Sequence, residues 1–112
     1  MTIQAMEAAV RAIIDGKRYD TETADEVAVH HSPHLPGDFY SFSETLYRTQ
    51  RGRWFLVGEG NAASPYGTPV WDGRGPGERV MPFSDEEARD WLESREKYDA
   101  LEAYFAKFIE DA

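Results

Sequence analysis

The stretch from Phe39 to Gly60, "FYSFSETLYRTQRGRWFLVGEG", decides the fold. Tyr40, Phe42 and Leu46 fall on one side of an extended chain while Phe39, Thr45 and Tyr47 fall on the other, so the segment reads as a strand. The chain reverses near Gln50, Arg51 and Gly52, and a second strand runs from Arg53 to Val57. Trp54 and Leu56 alternate there with Phe55 and Val57, which leaves no polar face. Both faces are predicted to be covered, at least one of them by a helix.

Towards the N-terminus, Val27, Val29 and His31 alternate before Pro33, Pro36 and Gly37, which predicts a short strand and then a loop. Further back, "TIQAMEAAVRAIIDGK" spaces Ile3, Met6, Val10 and Ile13 by three, four and three, with Ile14 beside them. That spacing predicts an amphipathic helix over 1–15, capped by Thr2 and stopped at Gly16. Towards the C-terminus, "GNAASPYGTPVWDGRGPGE" is dense in Gly and Pro and predicts a long, semi-ordered loop with a strand turn at Val70 and Trp71. Arg79 to Pro82 reads as a last short strand. Ser84 and Glu87 then form a capping box that starts a helix.

That helix carries two apolar stripes. Ala88, Trp91 and Leu92 define one, and Tyr98, Leu101, Phe105 and Phe108 define another turned by about 100°. A break near Ser94 resolves the conflict and gives a second helix over 95–111. The terminal helices are predicted to pack on each other or on their copies, with Tyr98, Leu101, Phe105 and Phe108 as a candidate dimer interface. The expected architecture is α+β: a single domain with a small antiparallel sheet of about four strands, packed with N-terminal and C-terminal helices.

Composition narrows the function classes. The 112 residues carry 41% hydrophobic and 13% aromatic side chains, enough for one packed core. The absence of cysteine removes disulfides, zinc-thiolate sites and thiol nucleophiles. No apolar run approaches the roughly 20 residues of a membrane span, and no signal-peptide pattern opens the chain, so a cytoplasmic protein is expected. The formal charge of -9 is uneven: residues 84–112 hold ten acids against four bases, a net of -6. Such a field disfavours direct nucleic-acid binding and favours a protein partner with a basic surface.

The elements "IIDGKRYDTETADEV", "ETLYRTQRGRWFLVGEGNAASPY" and "VMPFSDEEARDWLE" resemble a family of small uncharacterised proteins carried by bacteria, phages and other mobile elements. The resemblance covers about residues 13–93. Members of such families have included inhibitors of bacterial defence, particularly anti-CRISPR proteins, so it implies an inhibitor directed at a partner such as a CRISPR effector subunit. The chain departs from the pattern at Asn61, where a further Gly is common, and in its terminal helices.

Three constellations are candidates for chemistry. In "GEGNAASPY", Gly58 and Gly60 suit a phosphate loop poorly, because Pro65 interrupts the chain and no third glycine or Lys-Ser pair follows. The plainer reading gives the glycines to close packing and pairs Glu59 with Arg48; a hydrolase or transferase reading makes Glu59 a general base beside Tyr47, Ser64 and Tyr66. In "HHSPH", His30 and His31 face opposite ways on a strand and no acid completes a set with His34, so no metal and no other cofactor is expected. Arg48, Arg51 and Arg53 are expected to pair with acids across strands. On the first C-terminal helix Glu86, Asp90 and Glu93 share the side opposite Trp91 and Leu92. Together with Glu59 they are the candidate partner-binding residues.

Overall fold

The computed structural model describes residues 9–112. Its centre is a four-stranded antiparallel sheet of β3 (Asp25–His31), β4 (Phe42–Arg48), β5 (Trp54–Gly60) and β8 (Gly77–Phe83), in the order β3-β4-β5-β8. The predicted hairpin is β4–β5, with Arg48 opposite Trp54 and Phe42 opposite Gly60. Its turn closes where expected, because Gly52 adopts φ 84° and its amide donates to the Thr49 carbonyl at 2.9 Å.

Two helices cover one face. They are α1 (Asp85–Ser94) and α2 (Tyr98–Phe105), followed by a 3-10 turn at Ala106–Phe108. The capping box forms as the sequence predicts: Ser84 Oγ accepts from the Glu87 amide at 3.1 Å, and Glu87 Oε1 accepts from the Ser84 amide at 2.8 Å. Replacing Ser84 by Ala removes one partner of this box and is expected to cost about 1 kcal/mol in chemical denaturation. The helical run breaks after Ser94, with Glu96 at φ 58°, and the break turns the first apolar stripe and Leu101 and Phe105 of the second onto one core. Ala88, Trp91, Leu92, Leu101 and Phe105 pack there on Leu46, Trp54 and Leu56.

The opposite face is covered by a second hairpin, which corrects the predicted N-terminal helix over its described residues. Arg11–Ile14 is strand β1 and pairs antiparallel with β2 (Lys17–Asp20). The cause lies in Asp15 and Gly16, which take φ 51° and 75°, the two positive values that a tight two-residue turn needs. The spacing of Val10, Ile13 and Ile14 fits a helix, yet the Asp-Gly pair closes a hairpin instead. Thr2, Ile3 and Met6 lie outside the described residues. Tyr19 of β2 meets Phe55 edge-on at 5.4 Å between ring centres, and Val10 and Ile14 pack around them with Val57. Both faces of β5 are thereby buried, one by helices and one by β-structure.

The Gly/Pro-rich segment is more regular than its composition predicts. It contains a small hairpin, β6 (Thr68–Val70) with β7 (Gly73–Gly75). Arg74 ties this hairpin down, donating from Nε to the Ala62 carbonyl at 3.0 Å and from a terminal nitrogen to the Gly67 carbonyl at 2.7 Å. Trp71 at its tip is 95% exposed.

Candidate functional site

Alternation along β5 settles what the Gly-Glu-Gly stretch does. Gly58 has the parity of Trp54 and Leu56 and faces the helical side, where the Tyr66 ring lies directly on it. A Cβ at Gly58 would stand 2.0 Å from Tyr66 Cζ, and one at Gly60 would stand 2.2 Å from Ser64 Oγ. The glycines make room for an aromatic plug rather than for a phosphate.

The Tyr66 hydroxyl donates to Glu44 Oε2. Glu44 Oε1 accepts from Trp91 Nε1 at 2.9 Å and from the Arg95 guanidinium at 2.9 Å. One carboxylate, 7% exposed, therefore joins β4, the Tyr66 loop, α1 and the residue that ends α1. Burial alone would raise the Glu44 pKa, but the bonds from Tyr66, Trp91 and Arg95 and the Arg95 charge outweigh it and hold the carboxyl below its ordinary value. Burial and the neighbouring Glu44 charge push the Tyr66 phenol up. His30 stands opposite Glu44 in the β3–β4 register; burial and then the Arg95 charge lower its pKa, although Glu44 pulls the other way. Sequence reasoning missed this cluster. Its one local signal was an acid at 44 between Phe42 and Leu46 on the face that becomes core.

Glu59 lies on the opposite face from Ser64 and Tyr66, having the parity of Phe55 and Val57. The set Glu59, Tyr47, Ser64 and Tyr66 is not brought together, because Ser64 and Tyr66 are on the helical side and Tyr47 stacks on Phe55 at 5.1 Å towards the other end of the sheet. Arg48 does not reach Glu59 either; it sits over the rings of Trp54 and Tyr104 at 5.3 and 5.5 Å. The cross-strand row at Glu59 is instead His31, Ser43, Glu59 and Glu78. Three of these line an open cleft of about 380 Å³ with His34 and Asn61. Ser43 Oγ donates to Glu59 at a long 3.5 Å, so Ser43 stands between His31 and the acid, and no imidazole links an acid to a hydroxyl. The row can accept and donate hydrogen bonds to a polar ligand. His30 and His31 lie on opposite faces, and among the described residues no group of three His, Asp or Glu is arranged to hold a metal ion.

The acidic face of α1 is formed as predicted. Glu86, Asp90 and Glu93 are exposed, while Ala88, Trp91 and Leu92 are buried behind them. Arg89, the one base within α1, is drawn to the Phe108 ring at 4.6 Å. Among the described residues the one ion pair is Arg95 with Glu44, so this face keeps its charge, and Arg51 and Arg53 do not pair with acids across strands. Glu59 does not join the face, since it is on the other side of the sheet. Of the four residues considered for a dimer interface, Leu101 and Phe105 are inside the chain's own core, and Tyr98 and Phe108 are more than half exposed.

No family model, no curated protein and no solved structure matches this chain. Among the described residues no helix is long and apolar enough to cross a membrane.

Proposed function

We propose that the protein is a non-enzymatic, protein-binding inhibitor that lays the acidic face of α1 on a basic, nucleic-acid-handling surface of its target. The single observation that carries this reading is the face itself: Glu86, Asp90 and Glu93, exposed, on one side of a firmly capped helix, with no base within ion-pair distance among the described residues. Three carboxylates held in a fixed row compete for cations that otherwise take phosphates, and they speed encounter with a basic surface. The first turn adds Asp85 and Glu87, which also suit the positive end of the helix. The family resemblance makes a phage or mobile-element inhibitor of a defence complex, of the anti-CRISPR kind, the narrower form of the proposal. The hydrolase or transferase reading has less to stand on, because its residues are on opposite faces of the sheet.

The test is a variant carrying Glu86→Gln, Asp90→Asn and Glu93→Gln. Surface changes of this kind leave stability within about 0.5 kcal/mol each. Capture of the target from nuclease-treated lysate is expected to fall steeply for this variant, and what remains is expected to lose its salt dependence. Capture with the same yield and the same response to salt would remove the proposal.

A further inference from the structure

In a protein of net charge -9, four basic side chains gather at one end of the sheet. The β1–β2 hairpin and the turn joining β4 to β5 meet there, and Gln50 Nε2 ties that turn to the segment between β2 and β3 by donating to the Thr23 carbonyl at 3.0 Å. Between them is a cleft of about 480 Å³. Lys17 and Arg18 line it from one hairpin and Arg51 and Arg53 from the other; all four are exposed, and no acid is in the lining. Among the described residues none of the four forms an ion pair. Acids stand at its margins: Asp15 in the β1–β2 turn, Asp20 and Glu22 beside the lining residues Tyr19 and Thr23, and Asp85, which lines a neighbouring cleft with Arg51 and Arg53.

Both walls are fixed before any ligand arrives. The Thr49 amide donates to the Arg53 carbonyl at 2.7 Å, and the Arg53 amide donates back to Thr49 Oγ1 at 3.0 Å. The other wall is anchored by Tyr19, buried against Phe55. Four cations held around one cleft repel one another, and an anion between them turns that repulsion into attraction. Three of the four are arginines, whose planar forks match phosphate oxygens in pairs, while lysine adds a point charge.

We propose that this cleft is a binding site for a compact ligand bearing two or three linked phosphates. Four separate cations are more than one phosphate can satisfy. A long polyanion is disfavoured, because a strand leaving the cleft would meet an otherwise acidic molecule. The site is independent of the acidic face of α1, so either proposal can fail alone.

Calorimetric titration of the full chain with inorganic tripolyphosphate at low salt tests this, with inorganic phosphate and a single-stranded oligonucleotide as comparisons. Saturable one-to-one binding of tripolyphosphate, tighter than that of phosphate, is expected. The double variant Arg51→Gln with Arg53→Gln should weaken it by about tenfold or more, and Arg18→Gln on the other wall should weaken it independently. Lys107→Gln, beyond α2, should leave it unchanged. Absence of saturable binding, an equal loss on Lys107→Gln, no loss in either cleft variant, or tighter binding of the oligonucleotide than of tripolyphosphate would each overturn the proposal.

Discussion

Replacing Glu44 by Ala is expected to destabilise the protein by about 3 kcal/mol, the largest loss from any single polar substitution. Three donors lose their acceptor at once: the Tyr66 hydroxyl, Trp91 Nε1 and the Arg95 guanidinium. Trp91 and Tyr66 are buried, so each retains a desolvated, unmatched group. The figure is at the lower end for a broken buried ion pair because the Arg95 side chain is 31% exposed and is partly hydrated after the loss. Denaturant melts of the two proteins measure it.

The same carboxylate sets the acid limb of stability. Its folded pKa lies below the ordinary 4.5, so the unfolded chain binds its proton first as pH falls. The stabilisation is complete above about 4.5 and is lost as pH drops through the folded pKa. Glu44→Gln is expected to flatten that part of the stability–pH curve. His30 acts in the same direction at higher pH: its folded pKa is depressed from 6.5, so its neutral form contributes stability above that value, and the contribution is lost as the pH falls below it.

Gly58→Ala is the second large effect, with an expected cost of about 3 kcal/mol from overpacking. A methyl at this position overlaps the Tyr66 ring at Cζ and Cε1, and the ring cannot retreat without breaking its bond to Glu44. The origin of the cost can be separated by a double-mutant cycle. In a Tyr66→Ala background the plug is absent, and Gly58→Ala should then cost less than half as much. Additive losses would show that Gly58 is required for its backbone rather than for the space above it.

These two residues also show where the sequence was legible. Alternation at Phe42, Leu46, Trp54 and Leu56 exposed the central hairpin, and the Ser84–Glu87 pair and the two stripes around Ser94 exposed the helices and their break, because each signal is local. The Glu44 cluster is not local: its partners are 22, 47 and 51 residues away in sequence. Nothing short of the sheet order brings them together. The β1–β2 hairpin was obscured for another reason. A four-residue strand has too few positions to display a period of two, and Val10, Ile13 and Ile14 satisfy a helical spacing equally well. The Asp15–Gly16 pair held the decisive information, as a turn with two positive φ values rather than as a helix stop.

The candidate docking face was legible for the same local reason, since Glu86, Asp90 and Glu93 recur at helical spacing. Glu59 was grouped with them by charge alone, and strand parity places it on the other side of the molecule. The basic cleft was hidden because Lys17 and Arg18 belong to a segment whose pairing the sequence did not reveal.

The most direct test of the docking account is hydrogen–deuterium exchange of the protein bound to its captured target, compared with the free protein. The account predicts added protection confined to α1 and its first turn, with the Glu59 cleft unchanged. Protection centred on the His31, Ser43 and Glu59 row, with α1 unaffected, would contradict it and make that cleft the binding site.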